Sequence, residues 1–251
     1  MNPSPVQASY VSPCWRANVV KVLLIAGALV SAVMLVAEVM EILFPSLAEV
    51  ETEDNVGAIL FAFASLGLGL FSIVIFLVTV VFFSIWLYRS YENLRSFGHW
   101  VRNLQYSSGW AVGSFFVPFV NLVVPYRAVR ELWQNSVAVE ETRLGLGPVP
   151  SWFPLWWFFW LTSNFAGRIY FRMSLDESVP QQTTAIVGLI ADVLSIGAAL
   201  FAFVIVGTIT NRQEETSARL KLNSLAGPPP PDFENLGATA GFNNQSEPSS
   251  W

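Results

Sequence analysis

From Gly57 to Tyr88 the chain carries no Asp, Glu, Lys or Arg. Drawn as a straight helix at about 1.5 Å per residue, that run would be about 48 Å long, well beyond the roughly 30 Å of hydrocarbon in a bilayer. A soluble core cannot surround an uncharged helix of that length, so lipid is the expected solvent. Val19–Phe44 and Thr183–Thr210 are also long enough to cross, and Pro150–Arg172 is a further apolar run that includes Trp152, Trp156, Trp157 and Trp160. The whole chain is 53% hydrophobic and 12% charged, against about a quarter charged in an ordinary soluble domain. The expected fold is all-α: an integral membrane helical bundle of about four spanning helices, with one re-entrant or broken segment and cytoplasmic surface helices.

The broken segment is Gly109–Tyr126, interrupted by Gly113, Pro118, Asn121 and Pro125. Pro118 removes a helical hydrogen bond in mid-run, which disfavours a straight crossing. Arg102 stands before the segment and Arg127 and Arg130 after it, so a crossing would place one basic flank outside, against the positive-inside bias. A hairpin that turns near Pro118–Asn121 and returns removes the conflict. Tyr126–Glu140 then reads as an amphipathic surface helix, with Val129, Leu132 and Trp133 apolar and Arg127, Arg130 and Glu131 in water. The second spanning helix meets no Gly or Pro until Gly98, so it is expected to continue past the membrane over Ile85–Phe97. Trp86, Tyr88 and Tyr91 would then lie at headgroup level.

With both termini in the cytoplasm, a cell-membrane protein of this design keeps Arg16, Lys21, Arg89, Arg95, Arg102, Arg127, Arg130, Arg143, Arg212, Arg219 and Lys221 inside. Only Arg168 and Arg172 fall near the outer face. The first apolar run is too long for a signal peptide and lacks a small-residue cleavage site after it. Residues 1–18 and the Pro-, Asn- and Ser-rich stretch 223–251 are expected to be disordered tails, around a membrane domain at 19–210 and a basic helix end at 211–222.

Several motifs cluster in the middle of the chain: Trp86-Leu-Tyr-Arg89, Tyr91-Glu-Asn-Leu-Arg95, Gly109-Trp110, Pro118-Phe-Val-Asn121-Leu122, Pro125-Tyr126-Arg127 and Glu131-Leu132-Trp133. In these the chain resembles the domain of unknown function 4328 family, over roughly Val19 to Thr210. The resemblance implies a multi-pass bacterial membrane protein, often actinobacterial, and implies no activity. Some members of the family carry a cysteine-rich N-terminal extension, which this chain, with Cys14 alone, lacks.

A charge at membrane depth costs about 3 kcal/mol on insertion scales and must be compensated. Glu38, Glu41, Arg168 and Asp192 all fall in the outer half of the membrane and form the candidate intramembrane polar cluster. An Arg168–Asp192 pair is within reach there. Its bland reading is an ion pair that fixes packing; its functional reading is a proton or ion path. Asn121, between Pro118 and Pro125, either binds a ligand in a re-entrant cavity or satisfies carbonyls that proline leaves without donors. Arg89, Arg95, Arg102, Arg127 and Arg130 make a basic cytoplasmic face suited to anionic lipid headgroups or a protein partner. Gly67-Leu-Gly69 suits close helix packing.

His99 has no second ligand and Cys14 no cysteine partner, so no metal or other cofactor is expected. A net charge of −5 speaks against nucleic acid as a partner, and the common hydrolase motifs are missing, which leans away from an enzyme. The favoured function is a non-enzymatic scaffold or regulatory membrane protein. A small transporter or channel that uses the intramembrane carboxylates and the broken segment is the alternative.

Overall fold

The computed structural model of the chain describes residues 10–44, 56–97, 104–137 and 147–226. Arg102, Arg143, His99, the acidic loop 45–55 and the tail stretches 1–9 and 227–251 lie outside the described residues. Six α-helices follow in order: α1 (Cys14–Leu43), α2 (Val56–Ser96), α3 (Ser108–Gly113), α4 (Val124–Asn135), α5 (Phe153–Met173) and α6 (Gln181–Ala226). A short 3-10 turn at Val120–Leu122 separates α3 from α4. The chain divides into two compact units, Met1–Ser217 and Ala218–Trp251; in the second, the described part is the last turns of α6.

Among the described residues, three helices are long and apolar enough to cross a membrane: α1, α2 from Ile59, and α6 to Leu222. Helix α5 has 21 residues, about 31 Å at the helical rise, but its apolar surface is largely aromatic, with Arg168 and Arg172 near its end. Its tryptophans carry polar N–H groups and suit the edges of the hydrocarbon better than its centre. The outer stretches of the long helices expose Leu29, Val33, Leu66, Leu70, Ile186 and Ile190. In water that surface would be untenable; in lipid it is solvated.

The tightest packing lies at the basal end, where α1 begins and α2 ends. Trp86, Leu87, Leu94, Val129, Leu132 and Val206 are all fully buried there. Two expectations change as a result. Trp86 and Tyr91 are 0% and 1% exposed, so they belong to a protein core and not to a headgroup belt; Tyr88, at 48%, alone has the exposure of an interfacial ring. The N-terminal tail also ends earlier than residue 18. Helix α1 starts at Cys14, the Ala17 N–H bonds the Pro13 carbonyl at 2.9 Å, and Tyr10 stacks on Phe97 at 5.8 Å. These contacts supply the buried surface that a tail of this composition does not show by itself.

Glycine placement corrects a third reading. A Cβ at Gly67 or Gly69 would meet nothing within 4 Å, so these residues do not mark a close helix contact. A close contact is at Gly197, where a Cβ would stand 2.7 Å from Cδ1 of Phe159; α5 and α6 approach there because residue 197 has no side chain. Gly197→Leu should therefore force the helices apart and cost about 1–3 kcal/mol. A fall in the thermal unfolding midpoint of the detergent-solubilised protein, absent in a Gly69→Leu control, is the expected result.

Candidate functional site

Two polar constellations stand out, one in the basal layer and one at membrane depth. The basal layer is built on Ser90, Asn93, Ser136, Gln213 and Thr216, all buried. The Gln213 amide N–H donates to the Ser90 carbonyl at 2.9 Å and to Ser136 Oγ at 3.3 Å. Asn93 Nδ2 donates to Gln213 Oε1 at 3.3 Å and to the Val11 carbonyl at 2.9 Å, while Asn93 Oδ1 accepts from the Val11 N–H at 3.3 Å. Thr216 donates to the Ser136 carbonyl at 3.2 Å, and Trp86 Nε1 to Thr210 Oγ1 at 3.1 Å. Glu214 accepts from Ser12 and from Cys14 Sγ. Burial and the Glu214 carboxylate beside it push the Tyr10 hydroxyl well above its ordinary pKa.

The broken segment hangs from this layer. Tyr91 donates to the Ala128 carbonyl at 2.6 Å, Ser108 donates to Glu92, and the Gln105 N–H donates to Glu131 at 2.5 Å. Tyr91 and Glu92 are neighbours, so both ends of the segment are held at one level of α2. Its middle lies elsewhere: Phe115 meets Phe83 edge-on at 5.8 Å, and Phe83 is about 12 Å further along the helix at 1.5 Å per residue. The chain turns at Phe119, whose φ of 61° and ψ of −39° and the Val120 N–H to Pro118 carbonyl bond of 2.8 Å make a γ-turn of the strained, positive-φ kind. Pro125 occupies the first turn of α4, where its missing N–H costs nothing. Asn121 is half-buried and its side chain makes no hydrogen bond among the described residues. Trp157 Nε1 takes the carbonyl-satisfying role instead, donating to Leu122 at 2.9 Å.

Of the basic residues, Arg127 and Arg130 are exposed on α4, whose opposite face buries Ala128, Val129, Leu132 and Trp133. Arg95 pairs with Glu92 at 3.4 Å with its side chain 53% exposed, a pair worth well under 1 kcal/mol. Arg89 is half-buried. Arg212 lies 4.3 Å over the Trp133 ring.

Within the span-length helices α1 and α6, Asp192 lies beside Ser31, Glu41 beside Gln181, and Glu38 beside both Asp192 and Glu41. Glu38 is 6% exposed and its Oε2 has no hydrogen-bond partner among the described residues. Room for it exists because residue 188 is glycine: a Cβ there would collide with the Glu38 carboxylate and stand 2.8 Å from the Tyr170 ring. Arg168 is exposed and forms no ion pair with Asp192 among the described residues. Ser31 also lines a chamber of about 360 Å³ between α1, α2, α5 and α6, with Phe115 and Phe116 of the broken segment in its wall. Sequence reasoning missed the chamber and the basal network. The signal for the second was present in the helical spacing of Thr210, Gln213 and Thr216.

These features define an all-α membrane bundle with a polar basal layer. The chain belongs to the family described as domain of unknown function (DUF4328), whose model matches residues 53–211; α1 lies before the matched region. No curated protein and no solved structure matches the chain.

The Asn93–Gln213 bond can be weighed by a double-mutant cycle. Each of Asn93→Ala and Gln213→Ala leaves a buried amide unsatisfied and should cost about 1–3 kcal/mol. The double variant should cost less than the sum, measured by thermal or denaturant unfolding.

Proposed function

We propose that the protein is a four-span bacterial cell-membrane protein with both termini cytoplasmic. Residues 108–122 form a re-entrant hairpin, and the protein serves as a non-enzymatic scaffold or regulator whose basal face grips anionic lipid headgroups. The observation that carries this reading is that Tyr91 and Glu92 hold both ends of the broken segment at one level of α2. A segment that returns to the level it left brings Arg127 and Arg130 to the same side as Arg89 and Arg95, in line with the positive-inside bias. Phe116, Phe119, Leu122 and Val123 are exposed on the hairpin, as a lipid-facing loop requires. Helix α4 is anchored by its buried face, so its arginines are presented from a rigid base and lose little freedom on binding.

Each arginine near an anionic surface contributes about 1 kcal/mol. Changing Arg95, Arg127 and Arg130 together to glutamine should therefore weaken anionic-lipid binding by about a hundredfold. The measurement is the phosphatidylglycerol retained around the protein over phosphatidylcholine, taken from mixed bilayers. Enrichment equal to that of the wild type would remove the reading.

The topology has its own check, in a Cys14→Ser background. Arg130→Cys and Glu215→Cys should react with an impermeant maleimide from the cytoplasmic side, and Asp176→Cys from the opposite side. Labelling of positions 130 and 215 from opposite faces would overturn the re-entrant hairpin. The transporter alternative draws support from the carboxylates near the chamber, but the chamber's lining stops at Phe115 and Phe116 and does not include Asn121.

A further inference from the structure

We infer that the chamber between α1, α2, α5 and α6 is a binding site for a lipophilic cation, an apolar body carrying one positive charge. Its volume of about 360 Å³ falls within the range of small-molecule sites, roughly 300–1,000 Å³. What selects the occupant is the sign of the lining.

Three polar side chains in the wall spend a donor on their own helices, while the hydroxyls of Ser72, Ser84 and Ser195 make no hydrogen bond among the described residues. Thr79 donates to the Ile75 carbonyl at 2.7 Å, Ser163 to the Trp160 carbonyl at 3.0 Å, and Asn164 Nδ2 to the same carbonyl at 2.7 Å. Ser31 lies beside Asp192. The oxygens of these side chains keep acceptor lone pairs, and among the described residues no Lys, Arg or His lines the chamber. Phe83, Phe115, Trp156 and Trp160 add aromatic rings to the wall, whose negative faces attract cations more strongly where water is scarce. Outside the lining, Asp192 lies beside Ser31, and the nearly buried Glu38, whose Oε2 has no partner among the described residues, lies beside Asp192.

An anion would find no cationic side chain in the described wall and would face the nearby carboxylates, and a neutral hydrocarbon would leave the acceptors unused. A bare divalent metal requires six or more converging oxygens, whereas most of this wall is carbon. A cation whose charge is wrapped in apolar groups fits the carbon, the rings and the acceptors together.

The test uses the full-length protein in phosphatidylcholine nanodiscs with two probes of one shape and opposite charge, tetraphenylphosphonium and tetraphenylborate. Equilibrium dialysis should give saturable binding of the phosphonium, while the borate partitions as it does into empty nanodiscs. Asp192→Asn keeps the shape of the side chain and its acceptor for Ser31, and should weaken phosphonium binding by about tenfold or more, the loss of about 1.4 kcal/mol. Ala199→Phe, which fills the chamber and leaves the carboxylates in place, should abolish it. No saturable phosphonium uptake, equal binding of the two probes, or unchanged affinity in Asp192→Asn would each overturn the inference; the last result decides even if Ala199→Phe does not fold. The triple arginine-to-glutamine variant should bind the phosphonium like the wild type, which separates this site from the basal face.

Discussion

Gln213 is fully buried where α2, α6 and the end of α4 meet, and its amide can be satisfied in one arrangement of those helices. In lipid, apolar surface gains little by choosing protein over acyl chains, so greasy helices have no strong reason to prefer one rotation over another. Directional bonds supply that reason. A buried amide left without partners costs about 1–3 kcal/mol, so sliding or turning α6 against α2 is penalised at Gln213, at Asn93 and at Thr210 together. Val11 joins through its backbone, which ties the entry of α1 to the same layer. The spans can then be loosely packed and lipid-bathed because their phases are set at one end.

On the re-entrant reading proposed above, the broken segment solves a related problem. Irregular backbone at membrane depth survives where protein groups take up the amides and carbonyls that no helix pairs. Here the γ-turn at Phe119 pairs Val120 with Pro118, the Asn121 N–H reaches Val117, and an indole from α5 reaches Leu122. Phe119 carries a strained φ on a bulky side chain that is 86% exposed. Such strain, of order 1–3 kcal/mol, persists only where the surroundings over-determine it. The grip of Tyr91 and Glu92 at the two ends provides that determination.

Much of this architecture was legible in the sequence, because it rests on local rules. Runs without charge gave the long helices, Pro118 and Pro125 gave the interruption, and the alternation around Val129, Leu132 and Trp133 gave α4. What was not legible depends on rotational phase. A helix apolar on all sides, as α2 is over Gly57–Tyr88, presents no stripe that says which side meets a neighbour. Arg168 and Asp192 therefore looked like partners by depth alone, while the fold turns Asp192 toward Ser31 and leaves Arg168 exposed. Polar residues beyond the apolar runs posed the opposite difficulty. Gln213 and Thr216 stand among Arg212, Glu214 and Arg219 and read as a wetted helix end, when Gln213, Thr216 and Ser217 are buried.

The chamber and the basal face share one element. Phe115 packs against Trp157 and Trp160 at 6.2 and 6.0 Å and forms part of the chamber wall. A few residues on, the same segment becomes α4, with Arg127 and Arg130 on its exposed side. Contiguity of this kind is the physical precondition for communication between two sites, though it is not communication itself. Coupling requires that the segment have two arrangements and that an occupant at either end favour one of them. The γ-turn at Phe119 is the point at which a second arrangement would cost least, because relaxing its φ gives back strain. The clasp from Tyr91 and Glu92 opposes that relaxation, so the balance between turn strain and clasp strength sets whether the segment acts as a fixed floor or as a movable one.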